Sequence, residues 1–473
     1  MSEVDGNDRG GNVSGSANGA TAGFDETYDA VIIGGGPAGA TAATLLARSG
    51  RRVLVVERAR FPRFHIGESL MPEAYWVFER LGMLPKLRDS DFVRKYSVQF
   101  VTASGKESAP FVFEERKPHE SSVTWQIERA AFDQMMLEHA EESGATVWQE
   151  ASVNDVILGP AADDDLPAAR GVLVQRKGDA APRRIGARVV VDATGMNALL
   201  SRRLGIRRMD PKLKKASVFS HFKGCQRDPG KNGGATLVLS TAQNDGWFWF
   251  IPLRDDVTSV GVVADIDRLV KNRQGTPEQI LEEEIAQCPG LRERMKDATR
   301  CGPVHVLSDF SYRATRCAGE GWVLTGDAFG FLDPMYSSGV FLALKSAEMA
   351  ADAIIEAFDR DDFSGAQLGK WGDELAGGMS TIRKLVYAFY TPTFSFGKFV
   401  KMHPHHKDDI TAVLVGEVFK PEADAVFEPM KEMAPIPESI PLEKPGAGRG
   451  KGTERRGDAG TERDESLSQR QLA

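Results

Sequence analysis

The chain of 473 residues is 41% hydrophobic and 27% charged, a balance that fits a globular protein of two or three domains. Fifty-nine Lys and Arg against 67 Asp and Glu give a net charge of −8, which argues against a nucleic-acid footprint, and no stretch approaches the roughly 18 unbroken apolar residues of a membrane span. Four cysteines (Cys225, Cys288, Cys301, Cys317) with no C-x-x-C pairing exclude a disulfide scaffold and read as buried or inert thiols, and the N-terminus carries no basic-then-apolar leader, so the sequence reads as cytoplasmic.

Residues 1–26 are rich in Gly, Ser, Asn and Asp and are expected to form a disordered arm. Order begins at the apolar run Tyr28–Ile33, followed by Gly34-Gly35-Gly36-Pro37-Ala38-Gly39, an Ala- and Leu-rich helix to about Gly50, and a second run, Val53–Val56, closed by Glu57. This is a strand, a Gly-rich turn, a helix and a strand. Gly34 permits the tight turn, Gly36 lets the backbone approach a pyrophosphate, and Gly39 allows close helix–strand packing. Pro37 and Ala38 open the helix whose N-terminus faces the phosphates, and Glu57 is placed to hold an adenosine ribose. The motif alone does not separate FAD from NAD.

Next comes Phe61–Met83, FPRFHIGESLMPEAYWVFERLGM, a shaped loop leading to a helix with Pro72 in its first turn. Phe92–Phe100 leads into an alternating strand that turns back at Ser104-Gly105, with Lys95 at its start; taken alone, such a lysine is a solvated edge residue. Residues 145–195 alternate short strands around a loop at Gly159–Ala169 and complete the nucleotide-binding sheet. From about Val218 to Ala264 the pattern becomes an antiparallel meander, turning at Asn244-Asp245-Gly246 and Arg254-Asp255-Asp256. Within it, Trp247-Phe248-Trp249-Phe250-Ile251-Pro252 places both tryptophans and Ile251 on one face and the phenylalanines on the other. Glu278–Lys296 reads as a helix interrupted at Pro289-Gly290.

The strand Trp322–Thr325 runs into Gly326-Asp327, and Ser337-Ser338-Gly339 opens a long apolar helix to about Phe358. Asp327 can accept hydrogen bonds from a sugar-like hydroxyl, and the amides of Ser338 and Gly339, ahead of the helix, can hold a small anion. Residues 360–433 read as an aromatic-rich helical cap on the substrate side, and residues from 434 onward as a disordered tail. His403, His405 and His406 have no carboxylate or cysteine at ligand spacing, so no metal site is expected.

The combination resembles a known family. The Gly-rich start with Asp192-Ala193-Thr194-Gly195 and Gly326-Asp327 is similar to the FAD-monooxygenase superfamily, and Trp-x-Trp-x-Ile-Pro, FPRFHIGESLMP, FVRKYSVQF and DPMYSSGV resemble, in order, segments of the flavin-dependent halogenases. The resemblance covers roughly residues 27–360. It implies FAD, used as FADH2 with O2 and chloride or bromide, and Asp327 and Arg129 near the flavin ribityl and diphosphate. It implies Lys95 as the catalytic lysine, Ser338 and Gly339 as the halide site, and Trp247 and Trp249 as shields between flavin and organic substrate. A separate NAD(P)H-dependent flavin reductase is implied as a partner. In the tryptophan-specific branch a glutamate precedes the Ser-Thr-Gly; here that position is Tyr336, which points instead to phenols, pyrroles or carrier-protein-tethered groups.

The expected fold is α/β, α+β overall. A discontinuous Rossmann-like FAD domain (27–95, 127–210, 300–358) joins an antiparallel substrate sheet (96–126, 211–299) and a helical cap (359–433). The main alternative is an FAD-dependent aromatic hydroxylase on the same fold; an isoprenoid reductase and a non-enzymatic FAD scaffold are weaker readings.

Overall fold

The computed structural model describes residues 23–444 apart from 309. Its first sheet has five parallel strands in the order Trp322–Leu324, Arg183–Asp192, Glu26–Ile33, Val53–Val56, Thr146–Trp148. Ala30, Val31, Ile32 and the whole of Val53–Val56 are buried, as required of parallel strands covered on both faces. An antiparallel hairpin, Ala151–Gly159 and Ala168–Arg176, extends from Arg183–Asp192. The helix Pro37–Arg48 packs between Arg129–Glu142 and Ser338–Arg360. In the last of these, Val340, Leu344, Ala347, Ala351 and Ile354 recur at three- and four-residue spacing and are all buried, which is the stripe that docks a helix on its neighbours.

The second sheet runs Lys215–Lys223, Val257–Asp265, Gly246–Pro252, Thr236–Ser240, Ser97–Val101, Phe111–Val112. The tryptophan strand lies inside it, antiparallel to both neighbours. Its two faces serve different cores. Phe248 and Phe250 pack with Leu237, Leu239, Val260 and Val262, while Trp247, Trp249 and Ile251 face the first sheet. The turns at Asn244 and at Asp255-Asp256 carry positive φ, the backbone expected of tight hairpin connections.

Several boundaries differ from the sequence reading. The strand His305–Ser308 lies on the FAD side of a division at residue 300, yet it pairs with Ala216–Phe219 in the second sheet, because its register continues the edge begun by Thr299–Arg300. Lys95 ends a short strand, Val93–Lys95, that pairs with Thr124–Gln126; Tyr96 separates it from Ser97–Val101. Pro72 precedes the helix Ala74–Leu81, its carbonyl accepting from the Tyr75 amide. Cys301 is exposed at that sheet edge, whereas Cys225, Cys288 and Cys317 are buried.

The helices Gly372–Phe389, Phe396–Met402 and Lys407–Val415 follow the central helix. Residues 434–444 of the expected tail are docked rather than loose: Arg313 donates to the carbonyls of Ile440 and Pro441, and the Glu443 amide donates to the Thr315 carbonyl. Likewise Asp25, within the expected arm, donates its amide to the Arg184 carbonyl. The remaining arm and tail expectations, over 1–22 and 445–473, lie outside the described residues. No helix among the described residues is long and apolar enough to cross a membrane.

Candidate active site

A cavity of about 420 Å³ lies between the two sheets. Its lining brings together Gly34, Gly36, Pro37, Ala38, Glu57, Arg129, Asp327, Gly339, Trp247 and Trp249, which are separated by up to some 300 residues of sequence. Gly39, Ser338 and Lys95 stand just outside that wall.

Part of the lining is the Gly-rich turn. Gly34 has φ +105°, and a Cβ there would sit 2.5 Å from the Ala193 carbonyl oxygen; a Cβ on Gly39 would fall 1.9 Å from the Gly34 oxygen. Gly39 is thus a packing residue, letting the helix press onto the turn. Gly36 caps the helix with no side chain in the way, leaving its leading amides open to an anion. The Glu57 carboxylate is held by the amides of Gly35 and Ala59, each at 2.8 Å, which fixes its direction while each oxygen retains a lone pair for a ribose.

Asp327 reaches the cavity from the turn after Trp322–Leu324. Among the described residues its carboxylate has no hydrogen-bond partner, and burial, opposed by Arg129, pushes it up to about 7. A desolvated acceptor aimed at a cavity suits a polyhydroxyl chain. The same residues therefore fit FAD: a Gly-rich pyrophosphate cradle, a ribose acceptor and a ribityl acceptor. Arg129 is more committed than the sequence suggested. Its guanidinium is paired with buried Asp133 (2.7 and 2.9 Å) and donates to the Ile66 carbonyl, so it anchors the loop over the cavity while lining it.

The lining also includes the loop ahead of the central helix and the two tryptophans. Ser337 adopts φ +59° and offers no side-chain cap to the helix Ser338–Arg360, so its first amides, Ser338 and Gly339, have no acceptor from the capping residue. Trp247 and Trp249 are buried with ring centroids 6.0 Å apart. Trp249 donates to Ser259 Oγ (3.0 Å) and Trp247 to Tyr390 Oη (2.9 Å), so each indole is fixed at its polar end. Tyr336 turns away, donating to the Leu385 carbonyl.

Lys95 is 3% exposed. Its Nζ donates to Ser69 Oγ (2.8 Å) and to the Leu70 carbonyl (3.1 Å), and burial alone lowers it to about 7. Ser69 and Thr236 stand between it and the cavity. Sequence reasoning singled out the loop FPRFHIGESLMP but not Ser69 within it, nor Thr236, Tyr390 or the pair Glu68–His221 (2.6 Å), whose contacts are all long-range.

Residues 29–124 and 114–395 match the family model described as tryptophan halogenase. The 1H-pyrrole-2-carbonyl-[peptidyl-carrier protein] chlorinase of Pseudomonas fluorescens is 33% identical over 439 residues, 88% of this chain and 95% of the relative. The corresponding brominase of Pseudoalteromonas luteoviolacea is 33% identical over 399 residues, 83% and 93%. Among solved structures, the flavin-dependent brominase Bmp2 superposes with TM-score 0.74 at 30% identity, covering 86% of this chain and 98% of that one. The myxobacterial chondrochloren halogenase CndH gives 0.71 at 29%, covering 86% and 97%. With the Gly-rich turn and the paired tryptophans lining one cavity and the buried lysine behind its wall, the chain belongs to the flavin-dependent halogenases, enzymes that use FAD, O2 and halide.

Proposed function

We propose that this enzyme halogenates a pyrrole-2-carbonyl group presented on a peptidyl carrier protein, with Lys95 directing the halogen. The observation that carries the reading is the Lys95 amine, buried without a carboxylate partner directly behind Ser69, which lines the same cavity as the two tryptophans. A lysine kept out of water and unpaired is a costly feature, suited to a group that must handle an electrophile. The substrate class is supported by the two nearly full-length relatives named above and by Tyr336, which stands where the tryptophan-specific branch has a glutamate.

In this reading Gly34, Gly36, Pro37, Ala38, Glu57 and Asp327 hold FAD, Gly39 sets the cradle's shape, and Arg129 braces the loop above it. Bound FAD, reduced and with O2, supplies the oxidant that converts halide to hypohalous acid. The amides of Ser338 and Gly339 hold the halide by neutral donors, which keep it nucleophilic where a paired cation would not. Trp247 and Trp249 wall the organic substrate from the flavin and exclude water. Lys95, at the wall, orients the electrophile toward the ring. Reduced flavin comes from a separate NAD(P)H-dependent reductase.

Membership of the halogenases sets aside the aromatic-hydroxylase alternative. The test supplies FAD, a flavin reductase, NADH, chloride or bromide, and pyrrole-2-carboxylate loaded on a carrier protein, with mass spectrometry of the product. A halogen isotope pattern that disappears in Lys95→Ala, with FAD binding retained, is expected. Halogenation of a free phenol but not of the loaded carrier would overturn the substrate assignment.

A further inference from the structure

The hydrogen bonds around Ser69 tie it to Lys95 on one side and to Thr236 on the other. Gln126 Nε2 donates to the Gly234 carbonyl (3.0 Å), an acceptor only, which orients the amide; its other N–H donates to Thr236 Oγ1 (2.9 Å). Thr236 Oγ1 therefore accepts there, and it shares a further hydrogen bond with Ser69 Oγ at 3.0 Å, in which either hydroxyl can donate. Ser69 Oγ also accepts from Lys95 Nζ at 2.8 Å. A hydroxyl accepts two hydrogen bonds and donates one. When Thr236 donates, both acceptor positions of Ser69 are filled and the Ser69 proton is left over; Ser69 lines the cavity while Lys95 does not.

We infer that the Ser69 hydroxyl is the group that hypohalous acid meets, and that Lys95 acts through it as the proton source behind it. This rests on the halogenase reading of the cavity and adds a catalytic residue to it. In the step, a π pair of the ring forms the carbon–halogen bond as the halogen–oxygen bond breaks. The bond pair goes to oxygen, which takes the Ser69 proton and leaves as water. Lys95 reprotonates Ser69 along the 2.8 Å bond, and the proton lost from the ring carbon returns to the pair through that water. The sum is ring C–H plus HO–X giving ring C–X plus water. Thr236 and Gln126 are positioning residues: Gln126 holds Thr236, and Thr236, when it donates, occupies the second acceptor position and turns the Ser69 proton outward.

The test uses full-length enzyme with FAD, a flavin reductase, NADH and bromide, comparing wild type, Ser69→Ala, Ser69→Thr, Lys95→Ala and Ser69→Ala/Lys95→Ala. Expected for Ser69→Ala are an unchanged flavin spectrum on binding and unchanged flavin oxidation, with bromination of both a phenol probe and carrier-bound pyrrole-2-carboxylate lowered by about a hundredfold. Ser69→Thr, which keeps the hydroxyl, should recover most of the rate. The double variant should fall no further than Lys95→Ala, since the two residues act as one unit. With organic substrate left out, a diffusible 1,3-diketone should trap hypobromous acid faster from Ser69→Ala than from wild type. That last measurement needs no substrate assignment, so a wild type inactive on both probes would sink the functional reading while leaving this one tested. Equal trapping rates and equal bromination in wild type and Ser69→Ala would overturn the Ser69 role. Loss of flavin binding in Ser69→Ala would overturn it too, marking Ser69 as part of the flavin site.

Discussion

Trp247 and Tyr390, 143 residues apart, share a hydrogen bond: the indole Nε1 donates to the phenol oxygen at 2.9 Å, and the phenol passes its own proton to Asp333 Oδ2 at 3.0 Å. Asp333 Oδ1 accepts from the Met335 amide, within the turn that leads to Ser337 and the central helix. Tyr390, at the end of Gly372–Phe389, thus fastens the tryptophan wall and the loop ahead of Ser338 to the same point. Burial, only partly offset by the Met335 amide, Tyr390 and Lys215, pushes the Asp333 carboxyl up to about 7.

Replacing Tyr390 by Phe keeps the ring and removes both bonds, leaving the Trp247 N–H buried without a partner. Such orphaning costs about 1–3 kcal/mol. Chemical denaturation of Tyr390→Phe should show that loss, with a changed Trp fluorescence envelope in the folded state. An unchanged midpoint would mean that the contact contributes nothing net.

Lys95 predicts a pH profile. Burial lowers its amine to about 7, and its neighbours are the Ser69 hydroxyl, the Leu70 carbonyl and, at 5.6 Å, the Phe113 ring, none of them charged. If Lys95 supplies a proton through Ser69, halogenation holds below pH 7 and declines above it as the amine empties. A rate that climbs through pH 7 would show the neutral amine attacking halogen directly. Stability moves the other way. The unfolded lysine keeps its proton to about 10.5, so between 7 and 10.5 the unfolded chain binds more protons and the folded state gains stability as pH rises. Lys95→Met should remove that slope, read by denaturation at pH 7 and pH 9.

The sequence exposed what depends on local rules. The Gly34–Gly39 turn, Glu57 and the two faces of Gly246–Pro252 follow from backbone sterics and the two-residue period of a strand, and all stand where those rules put them. What it hid depends on tertiary pairing. Ser69 meets Lys95 across 26 residues and Thr236 across 167, and neither the loop nor the strand shows which side chain will face the other. Lys95 itself reads as an edge residue until Val93–Lys95 pairs with Thr124–Gln126 and Phe113 closes over it. The docked residues 434–444 were missed because main-chain acceptors, at Ile440 and Pro441, hold them, and composition is blind to those.

Gly261 tests how tightly the tryptophan wall is built. It lies opposite Trp249 in the sheet, and a Cβ there would fall 2.3 Å from Trp249 Cζ2 and 2.4 Å from Phe219 Cβ. Gly261→Ala must displace the indole and with it the bond to Ser259. Overpacking of this kind costs about 1–3 kcal/mol. The variant should unfold at lower denaturant and show a shifted Trp emission; wild-type stability and emission together would mean that the wall yields without strain.

Asp327 offers the clearest link between burial and cofactor. Its carboxyl, pushed from 3.8 to about 7 by burial with Arg129 opposing, has no hydrogen-bond partner among the described residues. In the flavin-free protein this raised value means that the folded state binds more protons than the unfolded chain between 3.8 and 7, so stability falls as pH rises across that window. A bound flavin hydroxyl, donating to the ionised carboxylate, should reverse the preference. FAD affinity is therefore expected to weaken as pH falls through about 7, and Asp327→Asn, which loses the charge and keeps the shape, should weaken it by about tenfold or more at pH 8, in line with about 1.5–3 kcal/mol for a hydrogen bond to a charged group. Flavin fluorescence titrations of both proteins at pH 6 and pH 8 measure this. Affinity independent of pH in wild type, or unchanged in Asp327→Asn, would remove Asp327 from the cofactor contacts and leave its burial without a purpose in binding.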